Sequence, residues 1–243
     1  MVSNGRPFAV FDIDGTLIRW QLYHAVADAL VKLGYVRASA YGEIKDARMS
    51  WKNRQQGKSF RTYELELIKV YESVLANLTT DQLEQAVQSV FDEYKDQVYT
   101  YTRQLIEQLK AEGYCLLAIS GSQVEIVRLI AKYYGFDDFS ATVYERAGNR
   151  FSGNKTVPSL DKAKALGDLI QKHQLVIAGS LGIGDSRSDA AMLEMVEKPI
   201  AFNPDKELYE IAAKTSWKIV LERKNMIYEL EKDSGRYELV KTD

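Results

Sequence analysis

Phe8-Ala9-Val10-Phe11-Asp12-Ile13-Asp14-Gly15-Thr16 runs from an unbroken apolar stretch into two carboxylates one residue apart, then a glycine. The apolar part reads as a buried strand, and Asp-Gly is a turn-forming pair. Asp12 and Asp14 therefore stand at the carboxyl end of that strand, on a tight turn. Like charges this close repel, so the pair calls for a divalent cation and suits acid–base work. Asp12 is able to attack an electrophile and to ligate a metal, and Asp14 is placed to give and take a proton.

The rest of the chain sets limits on that chemistry. With 243 residues, 46% hydrophobic and 27% charged, it suits one large domain or a domain carrying an insertion. A net charge of -2 offers no global basic field, so nucleic acid is not an expected partner. A phosphorylated substrate has to be captured by local charge. The single cysteine, Cys115, excludes an intramolecular disulfide and reads as a small buried strand residue. His24 and His173 read as ordinary surface or cap residues. Met1 to Pro7 is short and polar and the next apolar run stops at Asp12, so neither a signal segment nor a membrane span is expected. The expected location is the cytoplasm, with no membrane partner.

From Arg19 to about Val98 the pattern is helical. Leu22, Val26, Ala29, Leu30 and Leu33 recur at helical spacing up to Gly34. A second helix is expected over 38–55, and a third carries Tyr63, Leu67, Val70, Tyr71 and Val74. Thr79-Thr80-Asp81-Gln82 is a capping box that opens a fourth. Such helices with short connections pack as an antiparallel bundle. The remainder alternates: a helix ending near Gly113, a strand Cys115–Ile119, and a helix opened by Ser122-Gln123-Val124-Glu125 read as a capping box. A hairpin-like pair (Ala141–Tyr144 with Arg150-Phe151) and a helix over Ala163–Lys172 follow. Strands are then expected at Ser180–Ile183, Lys198–Phe202 and Trp217–Val220. The class is α/β, with a Rossmann-like parallel sheet, helices on both faces and an inserted helical-bundle cap. Residues 1–18 and 97–243 form the core, and 19–96 the cap.

Ligands of such sheets bind at the carboxyl ends of the strands. Asp12 and Asp14, Ser120-Gly121-Ser122 and Gly184-Asp185-Ser186 all fall there. Asp185 adds a hard oxygen ligand, Ser120 a hydroxyl, and the helix opening after Ser122 free N–H groups for an anion. With a lysine to complete neutralisation, the set suits phosphoryl transfer. The plainer alternatives are a structural Asp-Gly turn, a capping Ser120, and Asp185 and Asp189 as helix N-terminal acids.

Phe11-Asp12-Ile13-Asp14-Gly15-Thr16, Ser120-Gly121-Ser122, the lysine in Asp161-Lys162-Ala163-Lys164 and Gly184-Asp185-Ser186-Arg187-Ser188-Asp189 resemble, in order, the four motifs of the haloacid dehalogenase (HAD) superfamily of phosphatases. The helical insert is similar to the cap of its phosphoserine phosphatase-like branch. The resemblance implies an aspartyl-phosphate on Asp12, with Asp14 protonating the leaving oxygen and then activating water. It implies Ser120 and Gly121 at the phosphate, and Lys162, rather than Lys164 or Lys155, neutralising phosphate and nucleophile. Asp189 would orient Lys162, Thr16 would support the turn, and Mg²⁺ would be held by Asp12, Asp185 and the backbone carbonyl of Asp14.

The expected substrate is a small phosphorylated metabolite. Arg19 and Gln21, entering the first cap helix, are candidates for contacting it. Gln21 stands near the place where the phosphoserine phosphatases carry an acidic residue, and neither Arg54 nor Arg61 is anchored by a motif. An uncharged or aromatic-compatible leaving group therefore fits as well as phosphoserine. A phosphotransferase or mutase, or a non-catalytic phosphate-binding protein, are the alternatives. Oligomeric state is not readable, and Tyr237–Val240 offers an edge strand, disorder or a partner contact.

Overall fold

The computed structural model describes residues 5–37 and 60–242, together with positions 42, 45, 46, 48, 49 and 53. The helix expected over 38–55 lies largely outside the described residues.

β1 (Pro7–Phe11) is the centre of the molecule. Successive side chains of a strand point to opposite faces. Ala9 and Phe11 enter one apolar cluster, Phe8 and Val10 a second, and all four are fully buried. β2 (Cys115–Gln123) divides the same way, with Leu116 and Ala118 on the first side and Cys115, Leu117 and Ile119 on the second. A strand covered on both faces has no reason to alternate in polarity, and the non-alternating apolar runs record this.

The first face is covered by α1 (Leu22–Lys32), α2 (Phe60–Leu75), α3 (Thr80–Tyr94), α4 (Thr100–Ala111) and α5 (Val124–Tyr134). α6 (Lys162–His173), α7 (Ala190–Leu193) and α8 (Lys206–Thr215) cover the second. Thr79 and Gln82 form the reciprocal capping box at the start of α3. The box read at Ser122 does not form: β2 continues through Gln123, whose side chain makes no capping bond. The Ser122 hydroxyl instead donates to the Asp14 carboxylate, and its oxygen accepts the Tyr23 N–H from the start of α1 rather than an N–H of α5.

The other strands are β3 (Asp138–Ala147), β4 (Arg150–Thr156), β5 (Val176–Gly184), β6 (Lys198–Phe202), β7 (Lys218–Arg223), β8 (Met226–Asp233) and β9 (Arg236–Thr242). Nine strands lie in the order β4-β3-β2-β1-β5-β6-β7-β8-β9. The run from β3 to β7 is parallel, while β4, β8 and β9 pair antiparallel at the two edges. β8 was not expected, and β9 settles the tail as an edge strand. Ser234 and Gly235, both at positive φ, make the tight turn between them.

Strand order reverses around β1, whose neighbours are β2 and β5. The crevice at such a switch point is where α/β sheets bind ligands. Phe11 is in register with Ala118 and Ile183. The residues just beyond that row are Asp12 and Asp14, Ser120, and Asp185.

Candidate active site

Asp12 follows the last residue of β1 and is 5% exposed; its N–H donates to the Ile183 carbonyl at 3.0 Å. Lys162, the first residue of α6 and also buried, places its Nζ 2.6 Å from Asp12 Oδ1 and 2.5 Å from Asp189 Oδ1. It also donates to the Ile119 carbonyl at 3.3 Å. The two carboxylates hold the Lys162 ammonium well above the usual lysine range, outweighing the effect of its burial. The other lysines considered lie elsewhere, Lys164 on Asp168 in solvent and Lys155 on Glu72.

Asp14 turns its carboxylate a different way. Oδ2 accepts from the Ser120 hydroxyl at 2.7 Å, and Oδ1 from the Ser122 hydroxyl at 3.0 Å and the Leu22 N–H at 2.6 Å. Ser120 Oγ in turn accepts from the Ser122 N–H, and Ser122 Oγ from the Tyr23 N–H. The turn carrying Asp14 is thereby tied to both β2 and the start of α1. Burial pushes the Asp14 carboxyl above its ordinary value despite these donors. Asp12 is raised to about 7, chiefly by burial, with Lys162 pulling it down.

Asp185 follows β5, and its carboxylate makes no hydrogen bond among the described residues. Burial, then Asp12 and Asp189, push it well above the carboxylate range. Gly15, at φ +85°, brings the turn against it: a Cβ there would stand 2.3 Å from Asp185 Oδ2. Asp189 spends its second oxygen on the N–H groups of Asp185 and Ser186 and the Ser186 hydroxyl. It is thus both a local cap and a partner of Lys162.

Oxygens of Asp12, Asp185 and Asp189 lie within 4.8 Å of one another. With Asp14, four acids, Asp12 and Asp189 buried and Asp14 and Asp185 half-buried, face one ammonium, Lys162. Hard oxygen donors with unbalanced negative charge suit Mg²⁺ or a similar cation. Asp189's oxygens are already engaged, which leaves Asp12 and Asp185 as the better-disposed side chains.

The remaining expected residues are placed as follows. The Thr16 carbonyl accepts from the Thr102 hydroxyl at 3.0 Å, and its own hydroxyl is buried without a partner among the described residues. The Gly121 carbonyl accepts from Thr142, and Ser159 lies where a Cβ on Gly121 would point. Arg19 lies over the Tyr99 ring and 4.0 Å from Glu222; Gln21 caps α1 without a side-chain bond. His24 is not at the surface: it is buried edge-on to Trp20 and its pKa falls to about 3, so it is neutral. Cys115 is buried and its thiol is pushed up to about 11. Ser122 is the site residue that sequence reasoning cast in another role.

The sequence matches the haloacid dehalogenase-like hydrolase family over residues 9–194. It is 26% identical over 233 residues to a histidinol-phosphatase of Neisseria meningitidis serogroup C (strain 8013), covering 88% of this chain and 98% of that protein. A phosphoserine phosphatase of Mycobacterium tuberculosis (strain ATCC 25618 / H37Rv) is 24% identical over 220 residues, 87% of this chain and 69% of that one. Among solved structures, a protein of unknown function from Bordetella pertussis Tohama I aligns with TM-score 0.72 and 23% identity, over 89% of this chain and 98% of that one. A phosphoserine phosphatase solved as a phospho-aspartyl intermediate analogue aligns with TM-score 0.63 and 20% identity, over 91% and 96%.

Proposed function

We propose, for a chain that belongs to the haloacid dehalogenase-like hydrolase family, that this phosphatase hydrolyses a small phosphomonoester through a phosphoryl group carried on Asp12. The observation that carries the reading is the different engagement of two neighbouring aspartates, Asp12 buried and Asp14 half-buried. Asp12 shares Lys162 with Asp189, while Asp14 is held by Ser120, Ser122 and the Leu22 amide. The phosphatase names of two relatives support the reaction class.

Asp12 attacks phosphorus with one carboxylate oxygen. The bond from phosphorus to the leaving oxygen breaks, and Asp14 gives that oxygen its proton. Burial pushes the Asp14 pKa upward, the direction an acid role calls for. In the second half Asp14 takes a proton from water as that water attacks the aspartyl-phosphate, releasing inorganic phosphate and restoring Asp12. Lys162 offsets charge on nucleophile and phosphate, Asp189 orients Lys162, and Ser120 and Gly121 line the phosphate position. Thr16 supports the turn.

The donor set fits Mg²⁺, which we take as the cofactor held by Asp12, Asp185 and the Asp14 carbonyl. When bound, it neutralises negative charge on the phosphate and its surroundings. We take 19–96 as a cap over the site, with Arg19 and Gln21 at its entry as substrate contacts. Among the described residues no helix is long and apolar enough to cross a membrane. We take a small phosphorylated metabolite as the partner and the cytoplasm as the location.

The test is a panel of phosphorylated metabolites together with an activated aryl phosphate, each with Mg²⁺ and with EDTA. The expected result is phosphate release that EDTA removes. No release from any substrate, the aryl phosphate included, sinks the reading.

A further inference from the structure

α4 begins without a cap of its own. Its N-cap residue is Tyr99, whose side chain makes no capping bond, and its first turn carries no acid. The first N–H groups of a helix have no partner within it and must find one elsewhere. Here they find Glu222 on β7, 122 residues along the chain from Thr100. Oε1 accepts the Thr100 N–H at 3.0 Å and Oε2 the Tyr101 N–H at 2.9 Å. The Glu222 side chain is 1% exposed, and Arg19 Nη2 lies 4.0 Å from Oε1. The Glu222 N–H donates to Asn203 Oδ1 at 2.9 Å, which fixes where the side chain starts. A buried carboxylate is costly to keep, and a serine or aspartate at position 99 would satisfy those N–H groups locally. The distant acceptor does what a local cap does not: it ties the start of α4 to the sheet.

The contacts of α4 show what that tie holds. Residues 17–19 run beside residues 97–99. Tyr99 donates its N–H to the Leu17 carbonyl at 3.0 Å, and Arg19 its N–H to the Gln97 carbonyl at 2.9 Å. Within the first turn of the helix Thr102, 0% exposed, donates its hydroxyl to the Thr16 carbonyl at 3.0 Å. Thr16 stands two residues after Asp14, on the same turn. That turn closes through the Gly15 N–H to the Ile18 carbonyl and the Leu17 and Ile18 N–H groups to the Ile13 carbonyl. A displacement at Thr16 is therefore passed to Asp14. Asp12 belongs to the sheet instead, with its N–H on the Ile183 carbonyl. Movement of α4 would shift the acid and leave the nucleophile in place.

We infer that Glu222 is a positioning residue for the proton transfer at Asp14, acting through the start of α4 and the Thr102–Thr16 bond. This rests on the phosphatase reading above. Its role differs from that of Lys162, which meets Asp12 directly. It also differs from an ordinary cap, because a cap that only stabilises a helix has no reason to affect one chemical step more than another.

The experiment measures kcat/KM, with Mg²⁺, for butyl phosphate and p-nitrophenyl phosphate. It uses the unaltered protein, Glu222→Gln, Thr102→Val and the double variant, each checked for folding by circular dichroism. Glu222→Gln keeps the size of the side chain but turns an amide NH₂ toward one of the two helix N–H groups. It is expected to lose about ten-fold or more on butyl phosphate and about three-fold or less on p-nitrophenyl phosphate, whose leaving group needs no proton. Thr102→Val should show the same graded loss. The double variant should lose no more than about two-fold beyond the larger single loss, because both changes act along one path. A folded Glu222→Gln that loses nothing, or loses equally on both substrates, overturns the inference. Single losses that multiply in the double variant overturn the route through α4. Where Glu222→Gln does not fold, Glu222→Asp keeps the charge, withdraws it by one methylene, and is judged by the same graded loss. Turnover of p-nitrophenyl phosphate by the unaltered protein leaves the phosphatase reading standing in each of these cases. No turnover of either substrate by that protein overturns both.

Discussion

Lys162 is the residue on which the buried charge depends. Its ammonium is 3% exposed and lies between Asp12 and Asp189. Lys162→Met would leave two carboxylates buried and unpaired, a loss of about 3–5 kcal/mol. Calorimetry should show a melting temperature lower by more than about 6 °C for a chain of this size; an unchanged value would remove Lys162 from the centre of the network. Asp14 makes a kinetic prediction instead. Asp14→Asn should cost about 10²–10⁴-fold in kcat/KM for alkyl phosphates and much less for p-nitrophenyl phosphate, whose leaving group needs no proton. Equal losses across a leaving-group series contradict an acid role. That Asp12, Asp14, Ser120, Lys162, Asp185 and Asp189 come together was legible because their motifs fall at the carboxyl ends of the central strands or at the helix starts that follow. Ser122 was legible only in part. Its hydroxyl bonds across 108 residues to Asp14, and local sequence suggests a cap instead. The available signal was the spacing: Ser120 and Ser122 stand two apart on one strand, so both side chains point to the same face.

Among the elements, the turn after β1 makes the clearest test. Gly15 and Gly113 both have positive φ, but only Gly15 has a neighbour where a Cβ would go. Gly113→Ala therefore measures backbone strain alone, whereas Gly15→Ala adds a collision with Asp185. Gly15→Ala should lose Mg²⁺ affinity by calorimetric titration, and Gly113→Ala should keep it. Equal affinities would mean that Asp185 is not held by this turn. At α3, Thr79→Ala removes one half of the capping box and should cost about 1 kcal/mol, or 2–4 °C, with little effect on turnover. α1 to α6 and the central strands were readable from periodicity and caps, whereas α7 and α8 were not expected. β8 was not, because its sequence Met-Ile-Tyr-Glu-Leu-Glu-Lys-Asp mixes charge into an antiparallel strand near the sheet edge. β2 reads as ending at Ile119 because Ser-Gly-Ser looks like a turn; pairing of Gln123 with Thr142 carries the strand further.

Across the whole molecule, one apolar cluster runs from β1 and β2 into α1, α2 and α3, so the sheet and the helical insert share a core. The acidic centre lies beside it, and its cost depends on pH. Asp12 titrates at about 7 in the folded protein against 3.8 ordinarily. The folded state holds that proton more tightly, so stability without metal should fall as pH rises from about 4 to about 7. A cation that binds only the folded state at 100-fold over Kd contributes about 2.7 kcal/mol. Melting curves should therefore rise by about 5–10 °C with Mg²⁺ at pH 7.5, and by less at pH 5. A shift equal at both pH values, or none, argues against a cation at Asp12 and Asp185. The central claim concerns the bond formed at Asp12, and turnover of p-nitrophenyl phosphate by the unaltered protein and by Asp12→Asn, both with Mg²⁺, tests it most directly. The account predicts release by the first and a loss of about 1,000-fold or more in the second, with the circular dichroism of the two superimposable. An Asp12→Asn protein that retains Mg²⁺-dependent turnover contradicts it.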